Sequence, residues 1–232
     1  MRKRGFRHES ASSSSSSSRR SKRSRQSSSS SRKSKRSRHE KTPKWSESQN
    51  QFILIVGDGD FSFSCSLARA LKSGSNITAT SYDSHGALLE KYKNANENLE
   101  ILQGLGAQVM HDVDATKMQA LPCFDNMKFD VIFFNFPHSG FVKGGGRVSR
   151  PKAIEMLTQH GHIQVTHKSD GSYGKLNIVG LAQQEGLIEV VDSEWFNIHD
   201  YHGYENKYGD GKEPNEPFAL GKCKKYKFGR KQ

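Results

Sequence analysis

Glycine and carboxylate residues cluster in one short segment, Gly57-Asp58-Gly59-Asp60-Phe61-Ser62. Two glycines directly after an apolar run permit a tight turn that brings the backbone close to a bound nucleotide. A dinucleotide-binding loop has a third glycine where Ser62 stands here, and Asp58 and Asp60 would repel the phosphates of NAD or ATP. S-adenosylmethionine carries no phosphate and is cationic at its sulfonium and ammonium groups, so the segment favours this ligand. A tight surface turn that binds nothing is the alternative.

Two further acidic positions lie where later apolar runs end. Asp83 follows the glycines at about the 20-residue spacing at which an acidic side chain accepts hydrogen bonds from ribose hydroxyls. It could instead cap the following helix, a role that Ser84 could share. Asp114, or Asp112 beside it, could accept a hydrogen bond from an adenine amino group. Its alternative role is to cap the short segment that begins at Thr116.

The segment Asn135-Phe136-Pro137-His138 also follows an apolar run. An Asn followed by an aromatic residue and a Pro beside the cofactor is an arrangement that amide- and base-methylating enzymes use. Pro137 fixes the turn, Phe136 offers a stacking face, and Asn135 offers both a donor and an acceptor to a base edge. His138 has a pKa suited to a general base near neutral pH, and His167 is the reserve candidate. A chance turn containing Pro is the alternative.

Short apolar runs that predict β-strands precede these segments, and amphipathic stretches that predict helices separate them. This alternation is typical of a Rossmann-like, doubly wound α/β fold, with a mostly parallel sheet and helices on both faces. Ligands of such sheets bind at the carboxyl ends of the strands. The seven predicted strands are residues 52–56, 77–82, 108–113, 130–134, 163–166, 187–191 and 224–228. The predicted helices are residues 61–71, 86–104, 152–159 and 176–185.

The first 50 residues differ sharply in composition from the remainder of the chain. They hold 16 of the 36 Lys and Arg residues but 3 of the 24 Asp and Glu residues, and residues 10–39 are almost entirely Ser, Arg and Lys. Such a segment buries too little apolar surface to offset its conformational entropy. We therefore expect a disordered basic tail at 1–50 and one folded domain at 51–229. The tail is expected to contact nucleic acid or to act as a nuclear address, with a merely solubilising role as the alternative.

The composition also argues against several classes of protein. No stretch approaches the roughly 18 apolar residues of a membrane span, and the N-terminus has no apolar stretch typical of a signal peptide. Three cysteines are too few and too scattered for a disulfide framework or a metal knuckle, and the histidines form no convincing metal site. We expect a soluble, intracellular monomer that binds no metal.

Five motifs together resemble the eukaryotic ribosomal RNA uridine-N3 methyltransferase family, which has a Rossmann-like fold. They are V-G-D-G-D-F-S-F-S at 56–64, V-D-A-T at 113–116, F-N-F-P-H at 134–138, V-T-H-K at 165–168 and F-x-x-G-x-C-x-x-Y-K-F at 218–228. The resemblance implies S-adenosylmethionine as cofactor, large-subunit ribosomal RNA or the pre-ribosome as partner, and a nuclear or nucleolar location, with the cytoplasm as a further option. It implies that residues 57–62, Asp83 and Asp114 contact the cofactor and that residues 135–138 face the substrate.

Two features depart from the family pattern. The connection between the fourth and fifth predicted strands, residues 139–161, is shorter than the one that family members usually have. A parallel crossover nevertheless needs only about a dozen residues. Tyr208 stands where relatives tend to have a basic residue. The shortened crossover favours the alternative of a non-catalytic RNA-binding protein with a degenerate methyltransferase-like body. The acidic loop disfavours a nicotinamide-dependent oxidoreductase, and a methyltransferase for proteins or small molecules stays open.

Overall fold

The computed structural model describes residues 50–137, 153–171, 177–184 and 187–230. Runs rich in β-branched and aromatic residues form seven strands in this part of the chain. They are β1 (Ile53–Val56), β2 (Ile77–Thr80), β3 (Gln108–Met110), β4 (Phe129–Asn135), β5 (Leu157–Lys168), β6 (Leu187–Trp195) and β7 (Cys223–Arg230). The α-helices within the same ranges are α1 (Ser62–Leu71), α2 (His85–Lys91), α3 (Ala95–Gly104) and α4 (Ile178–Gln184).

All seven strands belong to one sheet, in the order β3-β2-β1-β4-β5-β7-β6. The strands from β3 to β5 are parallel to their neighbours, and β7 lies antiparallel between β5 and β6. The predicted seven-stranded, mostly parallel sheet is therefore confirmed. Because β7 runs in the opposite direction, its first residues lie at the same edge as the carboxyl ends of the parallel strands and of β6. We call this edge the carboxyl edge.

Helical segments cover both faces of the sheet. Residues of α1, α2 and α3 pack into one buried cluster with Ile53 and Ile55 of β1. Leu54 and Val56 point to the other face, where α4 and two short 3-10 helices, Met118–Ala120 and Pro122–Phe124, supply apolar contacts. The four residues of β1 are thus buried on both faces, which explains their uninterrupted apolar sequence.

The long helix predicted over residues 86–104 is instead two helices, α2 and α3. The break lies at Tyr92, which has an extended backbone (φ −126°, ψ 120°) and is 2% exposed. Leaving the helical conformation directs the Tyr92 ring into the core beside Leu88. Helical spacing of apolar residues continued through this point in the sequence, so the periodicity did not reveal the break.

The short helix predicted over residues 152–159 is wrong. The structure has a 3-10 helix at Ala153–Met156, and β5 begins directly afterwards at Leu157. The register between β4 and β5 shifts after Leu157, and the Thr158 hydroxyl donates to Asp130 Oδ1 across the irregularity (2.9 Å). Eight residues are too few for a helix to be stable by propensity alone, so strand pairing decided the outcome. The remainder of the predicted crossover, residues 139–152, lies outside the described residues.

Among the residues described, no helix is long and apolar enough to cross a membrane. Cys65, Cys123 and Cys223 are free thiols; Cys65 and Cys223 are buried, and Cys123 is exposed. Within the same ranges, no group of three or more His, Cys, Asp or Glu side chains is arranged to hold a metal ion.

Candidate active site

The glycine loop, residues 57–61, connects the carboxyl end of β1 to α1. Gly57 has a φ of +67°, a conformation that costs glycine little because it has no Cβ. Phe61, the N-cap of α1, also has a left-handed backbone (φ 63°), and its ring is fully buried. The amide of Asp58 donates to the carbonyl of Thr80 (2.8 Å). The loop is therefore fixed against β2 at the carboxyl edge, where a parallel sheet binds its ligands.

The two carboxylates of this loop point into the protein. Asp58 Oδ2 accepts hydrogen bonds from the amide (2.8 Å) and hydroxyl (2.5 Å) of Ser64. Asp60 Oδ1 accepts from the amide (3.0 Å) and hydroxyl (2.6 Å) of Ser62. Both acids therefore satisfy free N–H groups at the start of α1, where negative charge is favourable. The sequence-based expectation that these carboxylates line a ligand pocket does not match their orientation.

The charges of the two acids are also compensated within the protein. Burial and the charge of Asp60 raise the pKa of Asp58 to about 7, so Asp58 is only partly ionised at neutral pH. Lys207 Nζ lies 3.0 Å from Asp60 Oδ2, and the two side chains are 7% and 4% exposed. Burial alone would lower the pKa of Lys207, but the charges of Asp60 and Glu205 outweigh it and raise the pKa. The loop thus presents little net negative charge to a ligand.

A segment from the far end of the domain, residues 204–209, packs against the glycine loop. The amide of Glu205 donates to the hydroxyl of Ser62 (3.1 Å), although the two residues are 143 positions apart. The Tyr92 hydroxyl fills the space beside Gly59, where a Cβ would lie only 2.8 Å from it. A side chain at position 59 would therefore have to displace the Tyr92 ring. We call residues 204–209 the strap.

Asp83 lies just beyond the end of β2, beside the strap. Its Oδ1 accepts a hydrogen bond from Lys91 Nζ (2.6 Å), and the same ammonium donates to the carbonyl of Gly209 (3.2 Å). Ser84, not Asp83, is the N-cap of α2, since its hydroxyl accepts from the amide of Ala87. The capping alternative for Asp83 is therefore wrong, and its carboxylate remains at the carboxyl edge next to the glycine loop.

Asp114 has a local structural role in the described part of the chain. Its Oδ1 accepts hydrogen bonds from the amide (2.9 Å) and hydroxyl (2.6 Å) of Thr116. These hydrogen bonds and the nearby Lys117 lower the pKa of Asp114. The capping alternative from the sequence is thus observed, while contact with an adenine ring stays a prediction. Asp112 has a φ of 57°, a conformation that Asp tolerates better than most residues.

Asn135 is the last residue of β4 and lies at the carboxyl edge. Both polar atoms of its amide are buried and have no hydrogen-bond partner among the residues that the structure describes. An unsatisfied buried amide is costly and is found mostly where a ligand or water completes it. Phe136 follows with a φ of 47°, a strained conformation for an aromatic residue. The Phe136 ring contacts Phe196 (5.5 Å) and Phe218 (5.1 Å) edge-on.

The two histidines proposed as bases differ in what the structure shows. His138 lies outside the described residues. His167 is 5% exposed, and its Nδ1 lies 2.8 Å from the carbonyl oxygen of Lys168. In the strand register Asn135 pairs with Thr166, and side chains alternate between the two faces of a sheet. His167 therefore points to the opposite face from Asn135, which makes it unsuited to act beside that amide.

Sequence reasoning did not identify the residues that complete the site. They are Lys91, Tyr92, Thr166, Lys207 and Phe218. Lys207 and Phe218 belong to a long polar loop and carry no local signal of their partners. Asn135 lies in register with Thr166. The Thr166 hydroxyl is also buried and, like the Asn135 amide, has no hydrogen-bond partner within the described ranges. These juxtapositions come from contacts between distant parts of the chain.

A surface cleft lies away from this edge. It measures about 230 Å³ and is lined by the second half of α1 and residues 200–202. Because α1 begins at the glycine loop and runs away from it, its second half lies away from the carboxyl edge. The chemistry-bearing residues are instead grouped around the glycine loop, Asp83 and Asn135.

Comparison with known proteins decides the family. The model of the family described as rRNA (uridine-N3-)-methyltransferase BTM5-like matches residues 54–208, which is more than half of the chain. The chain belongs to this family. The match includes the glycine loop, Asp83, Asn135 and residues 204–208 of the strap. The family predicted from the five sequence motifs is thus confirmed, and the chain is a member of a methyltransferase family.

Similar proteins occur in Arabidopsis thaliana. Heavy metal-associated isoprenylated plant protein 41 is 40% identical over 196 residues, which cover 78% of this chain and 37% of that protein. Uncharacterized protein At4g26485 is 36% identical over 210 residues, which cover 82% of this chain and 98% of that protein. This chain therefore spans little more than a third of the first relative and nearly all of the second.

Two solved structures share the fold at low sequence identity. NSun6 of Pyrococcus horikoshii, solved with SFG, superimposes with a TM-score of 0.51 at 15% identity, over 78% of this chain and 48% of that one. The 1,6-didemethyltoxoflavin-N1-methyltransferase of Burkholderia thailandensis, with bound S-adenosylhomocysteine, gives a TM-score of 0.50 at 13% identity, over 78% and 72% of the two chains. These similarities establish the architecture.

Proposed function

We propose that this chain transfers a methyl group from S-adenosylmethionine to N3 of a uridine in ribosomal RNA. Membership of the family supports the reaction class. The structural observation that carries the proposal is the buried amide of Asn135 at the carboxyl edge, which has no hydrogen-bond partner in the described part of the chain, followed by Phe136 in a strained conformation. Unsatisfied polar atoms and backbone strain at the ligand-binding edge of such a sheet are typical of a site that a planar polar ligand completes.

The residues at the carboxyl edge fit S-adenosylmethionine. Asp83, whose side chain is 15% exposed, stands at the end of β2, where an acid accepts hydrogen bonds from ribose. The positive φ of Gly57 lets the backbone of the glycine loop approach a ligand. Bound there, the cofactor would supply a methyl group activated by the sulfonium. The fit depends on backbone shape and Asp83, because the carboxylates of Asp58 and Asp60 point away.

Asn135 and Phe136 would position the base. N3 of uridine lies on the Watson-Crick edge, so the target must be unpaired or flipped out of a helix. Phe136 offers a ring face for stacking, and the Asn135 amide would donate to a uracil carbonyl oxygen beside N3. Both contacts hold the nucleophilic nitrogen in place, which is the main contribution of an enzyme to a displacement reaction.

N3 of uridine keeps its proton at neutral pH and must lose it before or during the attack. We assign the general base to His138, which directly follows Pro137 in the sequence, because His167 points to the opposite face of the sheet. His138→Ala is expected to lower kcat by about 10²- to 10⁴-fold, the usual contribution of general base catalysis. The affinity for S-adenosylmethionine, measured by calorimetry, should stay near that of the native chain. Turnover at the native rate would exclude His138 as the base.

The whole proposal is tested by incubating the chain with labelled S-adenosylmethionine and purified ribosomal RNA. The RNA is then digested, and the labelled nucleosides are identified. The native chain should produce N3-methyluridine. Asn135→Ala should lose most of this activity, whereas it should keep the thermal stabilisation by the cofactor, about 2.7 kcal/mol at 100 times Kd. Cofactor binding without any methylated uridine would overturn the uridine assignment. RNA binding without cofactor binding would instead support the non-catalytic alternative.

The basic tail is proposed to support the same function by delivering the protein to its RNA. Residues 1–50 carry a net charge of +13, which favours sequence-independent, salt-sensitive binding to phosphates. Deleting them should reduce nucleolar accumulation of a fluorescent fusion and weaken RNA binding mainly at low salt. Unchanged distribution and unchanged RNA affinity after the deletion would leave the tail without either role.

A further inference from the structure

Trp195 is the last residue of β6 and lies at the carboxyl edge, 62% exposed to solvent. A tryptophan left largely uncovered on a folded domain is informative because its apolar ring would ordinarily be buried. The next residue, Phe196, contacts the ring of Phe136. Side chains alternate along a strand, so the Trp195 ring points to the other face of the sheet from Phe196. Its register partner Lys224 also pairs with His167, which places Trp195 and Lys224 at the carboxyl edge on the face opposite Asn135.

A basic side chain lies beside this tryptophan. Lys224 of β7 pairs with Trp195 in the strand register, and its ammonium lies 5.2 Å from the centre of the ring. Residues 222–230 contain four Lys and one Arg but no Asp or Glu, whereas residues 51–232 as a whole contain 20 basic and 21 acidic residues. Positive charge in the folded domain is thus concentrated along β7.

The acidic residues near this edge offset only part of the charge. Glu194 lies 3.2 Å from Lys225 and neutralises that lysine. Asp170 accepts a hydrogen bond from the backbone amide of Lys222. Lys224 donates to the hydroxyl of Ser193, which leaves its charge in place.

We infer that Trp195 and Lys224 bind a nucleotide a few positions from the target uridine in single-stranded RNA. The indole offers a face on which a base stacks, and the ammonium of Lys224 lies where it can meet a phosphate. The strands β4 and β6 are separated by three interstrand spacings, or about 14 Å, so a single strand of RNA that passes over the carboxyl edge can reach Asn135 on one face and Trp195 on the other. This inference rests on the proposed function for the position of the target base, and it adds a second contact on the folded domain.

Fluorescence of Trp195 gives a direct test in the full chain. The sequence has two tryptophans, Trp45 and Trp195, so the Trp45→Phe variant leaves the indole of interest as the sole fluorophore of its kind. Titration with a 12-nucleotide oligouridylate should quench its emission, because a stacked base quenches indole. A duplex of the same length should not. Absence of quenching at saturating oligonucleotide, or equal quenching by the duplex, would overturn the inference.

Affinity measurements on substituted chains supply the second test. Trp195→Ala should raise the Kd for the oligonucleotide by about 5- to 150-fold, the range expected for one lost base–aromatic stack. Trp195→Phe keeps an aromatic ring and should retain most of the native affinity. Lys224→Gln should reduce the slope of log Kd against log salt concentration by about one. Lys72→Gln is the matched control, since this exposed lysine caps the far end of α1. Equal effects of the two lysine substitutions would contradict a specific role for Lys224.

The outcomes separate this inference from the proposed function. If Trp195→Ala methylates RNA with an unchanged KM, the Trp195 contact is wrong and the uridine assignment stands. If Trp195 is quenched by single-stranded RNA but no N3-methyluridine forms, the contact stands and the assignment is wrong. The Kd for S-adenosylmethionine should be unchanged in Trp195→Ala, which shows that the variant is folded.

Discussion

Replacing Lys207 with Met removes the positive partner of a buried ion pair. Lys207 and Asp60 are 3.0 Å apart, and neither side chain is more than a tenth exposed. Met has a similar length and is apolar, so packing is largely preserved and the change is mainly one of charge. Asp60 would keep its hydrogen bonds from Ser62 but would lose its counter-charge.

The expected cost follows from that burial. Removing one partner of a buried ion pair destabilises a protein by about 3–5 kcal/mol, because an uncompensated charge stays behind. The hydrogen bonds that Asp60 keeps from Ser62 place the expected loss of stability for Lys207→Met near the lower end of this range. Lys207 also forms an ion pair with Glu205, whose side chain is 52% exposed. An ion pair so accessible to solvent contributes little to the free energy of unfolding. For a domain of this size, 3 kcal/mol corresponds to a melting temperature roughly 6–12 °C lower.

Urea unfolding at pH 7, followed by circular dichroism, measures this cost. The double variant Lys207→Met/Asp60→Asn is the decisive comparison, because it removes both charges together. It should be more stable than Lys207→Met alone, since replacing both partners of a buried pair is far less costly than breaking it. A loss below about 1 kcal/mol in Lys207→Met, or strictly additive effects of the two substitutions, would refute the buried ion pair between the strap and the glycine loop.

Three further predictions test separate features of the fold. The pKa of Asp58 is about 7 in the folded protein, above its ordinary value of 3.8. Protonated Asp58 therefore stabilises the folded state fully below pH 4. This stabilisation is lost as the pH rises to 7, and the free energy of unfolding falls by at most about 1.4 kcal/mol per pH unit. Asp58→Asn should flatten this dependence in urea unfolding between pH 5 and 8, and parallel curves would contradict it. Gly59→Ala should cost about 1–3 kcal/mol, because the new Cβ meets the Tyr92 hydroxyl at 2.8 Å; if Tyr92→Phe in the same chain recovers nothing, that contact is not the cause. Leu54→Ala removes a fully buried side chain and should lower the free energy of unfolding by about 3–5 kcal/mol. Leu181→Ala, at a position 44% exposed, should lower it by under 1 kcal/mol. Similar losses in the two variants would contradict the assignment of the core.

Much of the fold could be predicted from local patterns. The apolar run at β1 and the glycines after it predicted the first strand and the turn, because burial on both faces leaves an uninterrupted apolar signature. The periodicity that predicted one helix over residues 86–104 failed at Tyr92, whose extended backbone is fixed by packing against Gly59. The helix predicted over residues 152–159 failed because pairing of Leu157 with β4 outweighed a weak local preference.

The sequence by itself determined the family, the alternation of strands and helices, and the position of the glycine loop, Asp83 and Asn135 at one edge of the sheet. These depend on spacing and residue type over short stretches of chain, where periodicity and turn chemistry act. The orientation of Asp58 and Asp60 toward α1 rests on hydrogen bonds to residues six and two positions away, although their spacing did not reveal it. Only the tertiary structure decided that Lys207 neutralises Asp60 and that the Asn135 amide has no partner among the described residues. The strap contacts the glycine loop across 143 positions of chain, and no local pattern encodes such a contact, since it depends on how the whole chain packs.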